Sequence, residues 1–174
     1  MLDITKEDIQ RLNDTDLRIL IGKLCEAELY QLGIDSRGVS YGGNQDERDG
    51  GIDVKVSISE TVDPNGFIFK NNTIFQVKKP SMPPNKIIKE MKNKDNSLKN
   101  CIKSLSQGAY VIVSSGDDLT ELTYNSRITA MKSALKEINL ENEVLTEFYD
   151  SNKIATWVRK FPGVICCPRS SWIT

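Results

Sequence analysis

Apolar residues recur along this chain in two periods. Between Leu17 and Leu32 the spacing is three and four, so Leu17, Leu20, Ile21, Leu24, Glu28 and Leu32 share one face of a helix. Asn13-Asp14-Thr15-Asp16 opens that helix and Gly33 ends it. One member of the stripe is a carboxylate. Isolated buried carboxylates are costly, so Glu28 has a cationic or metal partner or lies near solvent at the stripe's end, whereas Glu26 falls off the stripe. A shorter helix precedes it, running to about Leu12 from Thr5, with Asp8 at capping-box spacing.

Period two takes over after a turn-rich stretch, Gly42 to Gly51, which a short extended piece at Gly38–Tyr41 precedes. Ile52–Ile58 alternates and is β-branched, which predicts a strand. Asp63-Pro64-Asn65-Gly66 is a turn, with strands expected at Gly66–Phe69 and Thr73–Lys78. Pro80, Pro83 and Pro84 stop the latter. Helices follow from Asn85 to Met91 and from Leu98 to Ser106. Ala109–Val113 is a continuous apolar run, the mark of a strand buried on both faces. The rest reads as a helix from Asp117 to Ile138 opened by acids, a strand at Leu145–Tyr149, a helix at Lys153–Arg159 and a last strand at Gly163–Cys166. There are no repeats and no linker. The pattern predicts one α/β domain over residues 1–174, a mixed sheet with helices around it.

Composition narrows the chemistry. Among 174 residues there is no histidine, which removes Ser-His-Asp and Cys-His catalysis and every His-ligated metal site. Hydrolysis must then run on carboxylates, amides and lysines, most plausibly around a hard cation with oxygen ligands. Cys25, Cys101, Cys166 and Cys167 have no CxxC spacing and read as reduced thiols. With no apolar run of about 18 residues and no signal-peptide pattern, a soluble cytoplasmic protein without membrane contact is expected. Trp157, Arg159 and Trp172 read as packing residues. Gly22-Lys23 lacks the glycine-rich run of a phosphate loop, and the acidic stretch Asp46–Asp49 fails the EF-hand spacing; Asp49 reads as half of an Asp-Gly turn.

Net charge is −1, yet it is unevenly placed. From Lys78 to Lys103 eight lysines face two acids, a net of +6 on an otherwise acidic chain. Such a stretch is either a local phosphate-facing surface, with Lys86, Lys89 and Lys92 as its contacts, or a solvated helix.

Two segments matter together, "GGIDVKV" (Gly50–Val56) and "IFQVKKP" (Ile74–Pro80). Residues two apart on a strand share a face, so Phe75 and Val77 enter one layer while Gln76 and Lys78 stand side by side on the other. Asp53 projects opposite to Val54 and Val56. Were the strands antiparallel neighbours, an aspartate, an amide and a lysine would converge, with Glu28 as a fourth polar group.

The order Glu28, Asp53 in "GID", then Gln76-Val77-Lys78 resembles the PD-(D/E)xK nucleases, in the Mrr-like variant where glutamine replaces the second acid. "GGNQDERDGGIDV" followed by "FQVKKP" is similar to nuclease modules at the N-termini of bacterial anti-phage effectors, some of which carry a STAND-type ATPase behind the nuclease. The resemblance runs from Leu17 to about Ile165. It implies a restriction-endonuclease-like fold and a Mg²⁺-dependent endonuclease acting on double-stranded DNA, with Mn²⁺ as a substitute. It further implies that Asp53, Gln76, the Val77 carbonyl and Glu28 hold the metal, and that Lys78 positions water and stabilises charge on phosphorus. Gln45 and Lys79 become substrate contacts. The same resemblance implies the N-terminal part of a larger protein that forms homo-oligomers through C-terminal domains and is activated by assembly. Two departures stand out: "ID" replaces "PD", and an amide at position 76 adds no negative charge, so metal affinity is expected to be weaker. The rival readings are a non-catalytic nucleic-acid-binding or oligomerisation module, and an RNase or nickase.

Overall fold

The computed structural model describes residues 3–41 and 51–165. Gln45, Asp49, Cys166, Cys167 and Trp172 lie outside the described residues. The N-terminal helices follow their capping signals. Thr5 caps α1 (Lys6–Gln10), accepting from the Asp8 amide while the Asp8 carboxylate accepts from the Thr5 amide at 3.0 Å. Asn13 caps α2 (Asp14–Gln31), accepting from the Asp16 amide at 2.8 Å, and Gly33 ends the turn with φ at 72°.

Five strands follow, β1 (Val39–Tyr41), β2 (Val54–Ser57), β3 (Asn72–Lys78), β4 (Ala109–Ser114) and β5 (Leu145–Tyr149), and they lie in the sheet in chain order. β2 pairs antiparallel with both β1 and β3, whereas β3 pairs parallel with β4 and β4 with β5. β3 is therefore both the middle strand and the seam between two pairing modes. The crossovers carry α3 (Pro84–Met91) and α4 (Asn100–Lys103) between β3 and β4, and α5 (Glu121–Lys136) between β4 and β5; α6 (Ser151–Lys160) follows β5.

Alternation along the strands divides the core in two. Val54, Val56, Phe75, Val77, Val111 and Val113 pack under α2 and α6, together with Leu17, Leu24 and Trp157. Ile74, Tyr110, Ile112 and Phe148 pack on the other face against Ile87, Met91, Met131 and Leu135 from α3 and α5. The result is a mixed α/β domain with a five-stranded mixed sheet between helical layers. Trp157 is core, as expected, stacked on Phe67 with ring centroids 4.9 Å apart. Among the described residues no helix is long and apolar enough to cross a membrane.

Several elements differ from the sequence pattern for tertiary reasons. Gly66–Phe69 is not a strand, because the Phe67 and Ile68 amides donate to Glu28 rather than to a neighbouring strand. Leu32 is 41% exposed, since the stripe outruns the sheet beneath it. The helix expected at Leu98–Ser106 shrinks to α4, because the Lys99 amide is tied to the Met91 carbonyl at 3.0 Å. α5 begins at Glu121 behind its cap Thr120 rather than at Asp117, whose carboxylate has other partners. Over the described part of Gly163–Cys166 the chain makes a 3₁₀ turn, Pro162–Val164, with Pro162 at its first position.

One contact brings α2 against the sheet edge closely enough to test. A Cβ on Gly22 would fall 2.2 Å from the Tyr41 ring, whose hydroxyl donates to Glu26 at 3.0 Å. Gly22→Ala gains helix propensity of about 1 kcal/mol, yet it must displace that ring. A net loss of about 1–3 kcal/mol is expected in urea unfolding; a gain would show that β1 moves freely away from α2.

Candidate active site

The site grows from register. β2 begins pairing with β3 at Val54↔Phe75, so Asp53, one residue earlier, reaches the next position of β3. Its Oδ2 accepts from Gln76 Nε2 at 2.6 Å and from the Val77 amide at 2.8 Å. The Val77 carbonyl leaves the strand on the same edge as its amide, hence toward Asp53. Gln76 is buried, and Lys78 follows it two residues on, on the same face. The antiparallel neighbourhood expected for these segments is present, and it joins Asp53, Gln76 and Val77.

Opposite Lys78 stands a carboxylate from α3. Glu90 Oε1 lies 3.2 Å from Lys78 Nζ and 2.9 Å from Lys99 Nζ. Lys99 returns to α3 because Lys92 and Leu98 form an antiparallel bridge around a turn with Asn96 at φ 66°. On the α2 side, the Arg18 guanidinium approaches Asp53 Oδ1 at 3.8 Å. Burial pushes the Asp53 carboxyl above its ordinary value; the Val77 amide, Lys78 and Arg18 oppose this and Glu90 adds to it. On the same face of the sheet the buried Tyr110 hydroxyl has no hydrogen-bond partner among the described residues; burial, Glu90, Cys101 and Asp53 all hold its proton on. Among the described residues three cations, Lys78, Lys99 and Arg18, thus stand about two carboxylates, Asp53 and Glu90.

Glu28 is not brought to this group. It is 3% exposed, and its Oε1 accepts from the Phe67 and Ile68 amides at 2.7 and 3.1 Å. It lies ten residues beyond Arg18 on α2, about 15 Å along the helix axis. The Tyr149 hydroxyl donates to the Phe67 carbonyl at 2.8 Å, and a Cβ at Gly66 would meet Glu28 Oε1 at 2.3 Å. The carboxylate in the apolar stripe therefore finds its partners in loop amides and braces that loop.

The basic segment splits. Lys79, Lys86 and Lys89 are exposed, whereas the Lys92 side chain is 9% exposed and pairs with Glu137 at 2.7 Å. Lys92 is thereby removed from the phosphate-facing set. Gln45 lies outside the described residues. Sequence reading missed Glu90, Lys99 and Arg18. A signal existed for the first, one of only two acids among eight lysines.

Among the described residues no three acidic or cysteine side chains converge as a metal cluster. The donors present are nonetheless of the type a hard divalent cation takes: Asp53 Oδ1, which among the described residues accepts no hydrogen bond and has Arg18 at 3.8 Å, the Gln76 carbonyl, and the Glu90 carboxylate now paired with its lysines. The residues fit in type and carry little anionic charge, so binding is expected to be weak. Compared with family models, characterised proteins and solved structures, the chain has no significant match.

Proposed function

We propose that this domain is a divalent-cation-dependent endonuclease of the restriction-endonuclease-like type, acting on double-stranded DNA. The observation that carries the reading is Asp53 held at the end of β2 by the Gln76 side chain and the Val77 amide, with Lys78 next on the same face of β3. DNA as the substrate rests on the resemblance of "GID" and "QVK" to PD-(D/E)xK nucleases.

Each side chain has a distinct task. Two N–H donors fix Asp53 Oδ2, and Oδ1, which has the Arg18 guanidinium 3.8 Å away, is the oxygen that would face a divalent cation. Asp53, the Gln76 carbonyl and Glu90 would hold Mg²⁺ or Mn²⁺, which when bound lowers the pKa of a water and screens charge developing on phosphorus. Lys78 carries its ammonium to the scissile phosphate and stabilises the extra negative charge as the phosphorane forms. Lys79, Lys86 and Lys89 lie exposed nearby and would hold the flanking phosphates. The wider role, an anti-phage effector in the cytoplasm that cuts when attached C-terminal domains assemble it, belongs to the same proposal. One site per domain needs two copies to cut both strands.

The test is a digest of supercoiled plasmid with and without Mg²⁺, run beside a matched single-stranded RNA. Nicked and linear DNA that EDTA abolishes is the expected result; RNA cleavage alone would replace the substrate. One observation favours a second reading, a non-catalytic nucleic-acid-binding module: among the described residues no three acidic side chains converge, and Glu90 is paired with lysines. DNA binding without cleavage in either metal would decide for it.

A neutralisation experiment checks the surface. Lys79→Gln, Lys86→Gln and Lys89→Gln together should reduce the log–log salt slope of DNA binding by roughly 0.9 for each phosphate that is no longer neutralised. Adding Lys92→Gln should change the slope no further, because that lysine already has a carboxylate partner. An unchanged slope in the triple variant would make this face merely solvated.

A further inference from the structure

We infer that Lys78 and Lys99 together form a phosphate subsite, and that Glu90 masks it by holding both ammonium groups on one carboxylate oxygen. The inference deepens the nuclease reading and takes its ligand, a phosphodiester, from it. Three observations carry it. Both ion pairs fall on Glu90 Oε1, at 3.2 and 2.9 Å, so the two ammonium nitrogens stand close enough to reach one phosphate group. All three side chains are partly withdrawn from water, where an uncompensated pair of ammonium groups calls for an anion. The backbone fixes Lys99 at this place: its amide donates to the Met91 carbonyl at 3.0 Å, and the bridge between Lys92 and Leu98 closes the excursion after α3.

Glu90 cannot serve two partners at once. While it neutralises Lys78 and Lys99, a phosphate meets a carboxylate between them. When the carboxylate turns toward Asp53 and Gln76, both lysines are released together. Cation binding and phosphate binding are then linked through one side chain, and each must strengthen the other by the same factor. The exposed lysines of α3 give affinity, whereas this pair gives the dependence on the cation.

The experiment is fluorescence anisotropy of a short labelled duplex bound by the full chain, in EDTA and in Ca²⁺, over a range of salt. Wild type should bind more tightly in Ca²⁺ by roughly tenfold, with a steeper salt slope. Glu90→Gln should bind in EDTA about as tightly as wild type does in Ca²⁺, and should lose the response to Ca²⁺. Adding Lys99→Gln to that variant should take the gain away. Inorganic phosphate should compete better against the duplex with Glu90→Gln than with wild type. Circular dichroism verifies folding, and the wild-type Ca²⁺ response tests the coupling without any substitution. Wild-type binding indifferent to Ca²⁺, or Glu90→Gln binding no tighter than wild type in EDTA, overturns the subsite. The two proposals fail separately: plasmid cleavage by wild type, with Glu90→Gln binding the duplex in EDTA no tighter than wild type, sinks only the mask. Tight phosphate binding by Glu90→Gln in a protein that never cuts sinks only the nuclease.

Discussion

Asp53→Asn is expected to yield a folded protein that no longer cuts DNA, with the cleavage rate down by at least about 10²–10³. The folding half of that expectation comes from the hydrogen bonds. The amide oxygen of asparagine can accept from Gln76 Nε2 and from the Val77 amide just as Asp53 Oδ2 does. Burial already holds the Asp53 carboxyl above its ordinary value, so the ionised form is poorly accommodated and a neutral isostere relieves the strain of ionisation. Because the variant also takes from Arg18 a counter-charge 3.8 Å away, the two effects offset and the unfolding midpoint should stay close to wild type at neutral pH. The catalytic half comes from charge, since asparagine offers a cation a neutral oxygen where the carboxylate offered an anion. Initial rates of plasmid nicking under saturating Mg²⁺ measure it. A folded Asp53→Asn protein that nicks at the wild-type rate would remove Asp53 from the site.

The second large effect is expected in stability, at Asp117. Its carboxylate accepts from Ser81 Oγ at 2.7 Å and from the Met82 amide at 2.8 Å, and it pairs with Arg127 at 3.2 Å. Its carbonyl accepts from the Ser151 amide and hydroxyl, both at 2.9 Å. One residue thereby ties the chain after β3 to α5 and α6. Asp117→Asn leaves the Arg127 guanidinium buried without its counter-charge, and about 3 kcal/mol should be lost at neutral pH. Burial acts to raise the Asp117 carboxyl, but the Met82 amide, the Ser81 and Ser114 hydroxyls and Arg127 outweigh it and hold the group below its ordinary value. A depressed value means that the ionised carboxylate stabilises the fold above the ordinary carboxylate range and ceases to do so as pH falls through the depressed value. The gap between wild type and variant should therefore be full near neutrality and close in acid. Urea unfolding across that range measures it, and a gap that is constant with pH would mean that the loss is packing rather than charge.

Local signals were legible where the chain's own neighbours decide the outcome. Thr5 and Asp8, Asn13, and Gly33 mark ends that depend on a few adjacent residues, and each end stands where the pattern puts it. β3 and β4 were equally plain, because alternation and an unbroken apolar run are properties of the segment itself. Competition between distant groups was not legible. Asp117, Asp118 and Thr120 are all competent helix caps, and the choice of Thr120 follows from partners in the Ser81–Met82 turn. Glu28 had a stripe position that left open a cationic or metal partner or a place near solvent, whereas it is buried on a pair of amides about forty residues away. The same holds at the site. Strand periodicity places Gln76 beside Lys78, and antiparallel pairing places Asp53 beside Gln76, whereas Glu90 and Lys99 join them only through the packing of α3 and the turn behind it.

The position of β3 as the seam of the sheet has a consequence for synthesis. Asp53, Gln76, Lys78, Glu90 and Lys99 all emerge from a ribosome before the first residue of β4. Until β4 is made, β3 has a partner on one side only, and the antiparallel half is a three-stranded ribbon without the parallel half that flanks and buries it. Closure waits for pairings that span more than thirty residues, which form late because loop entropy must be overcome first. A chain interrupted between Lys99 and Ala109 thus holds all five of these side chains without the parallel half of the sheet. On the nuclease reading, the site is aligned only after β4 has been made.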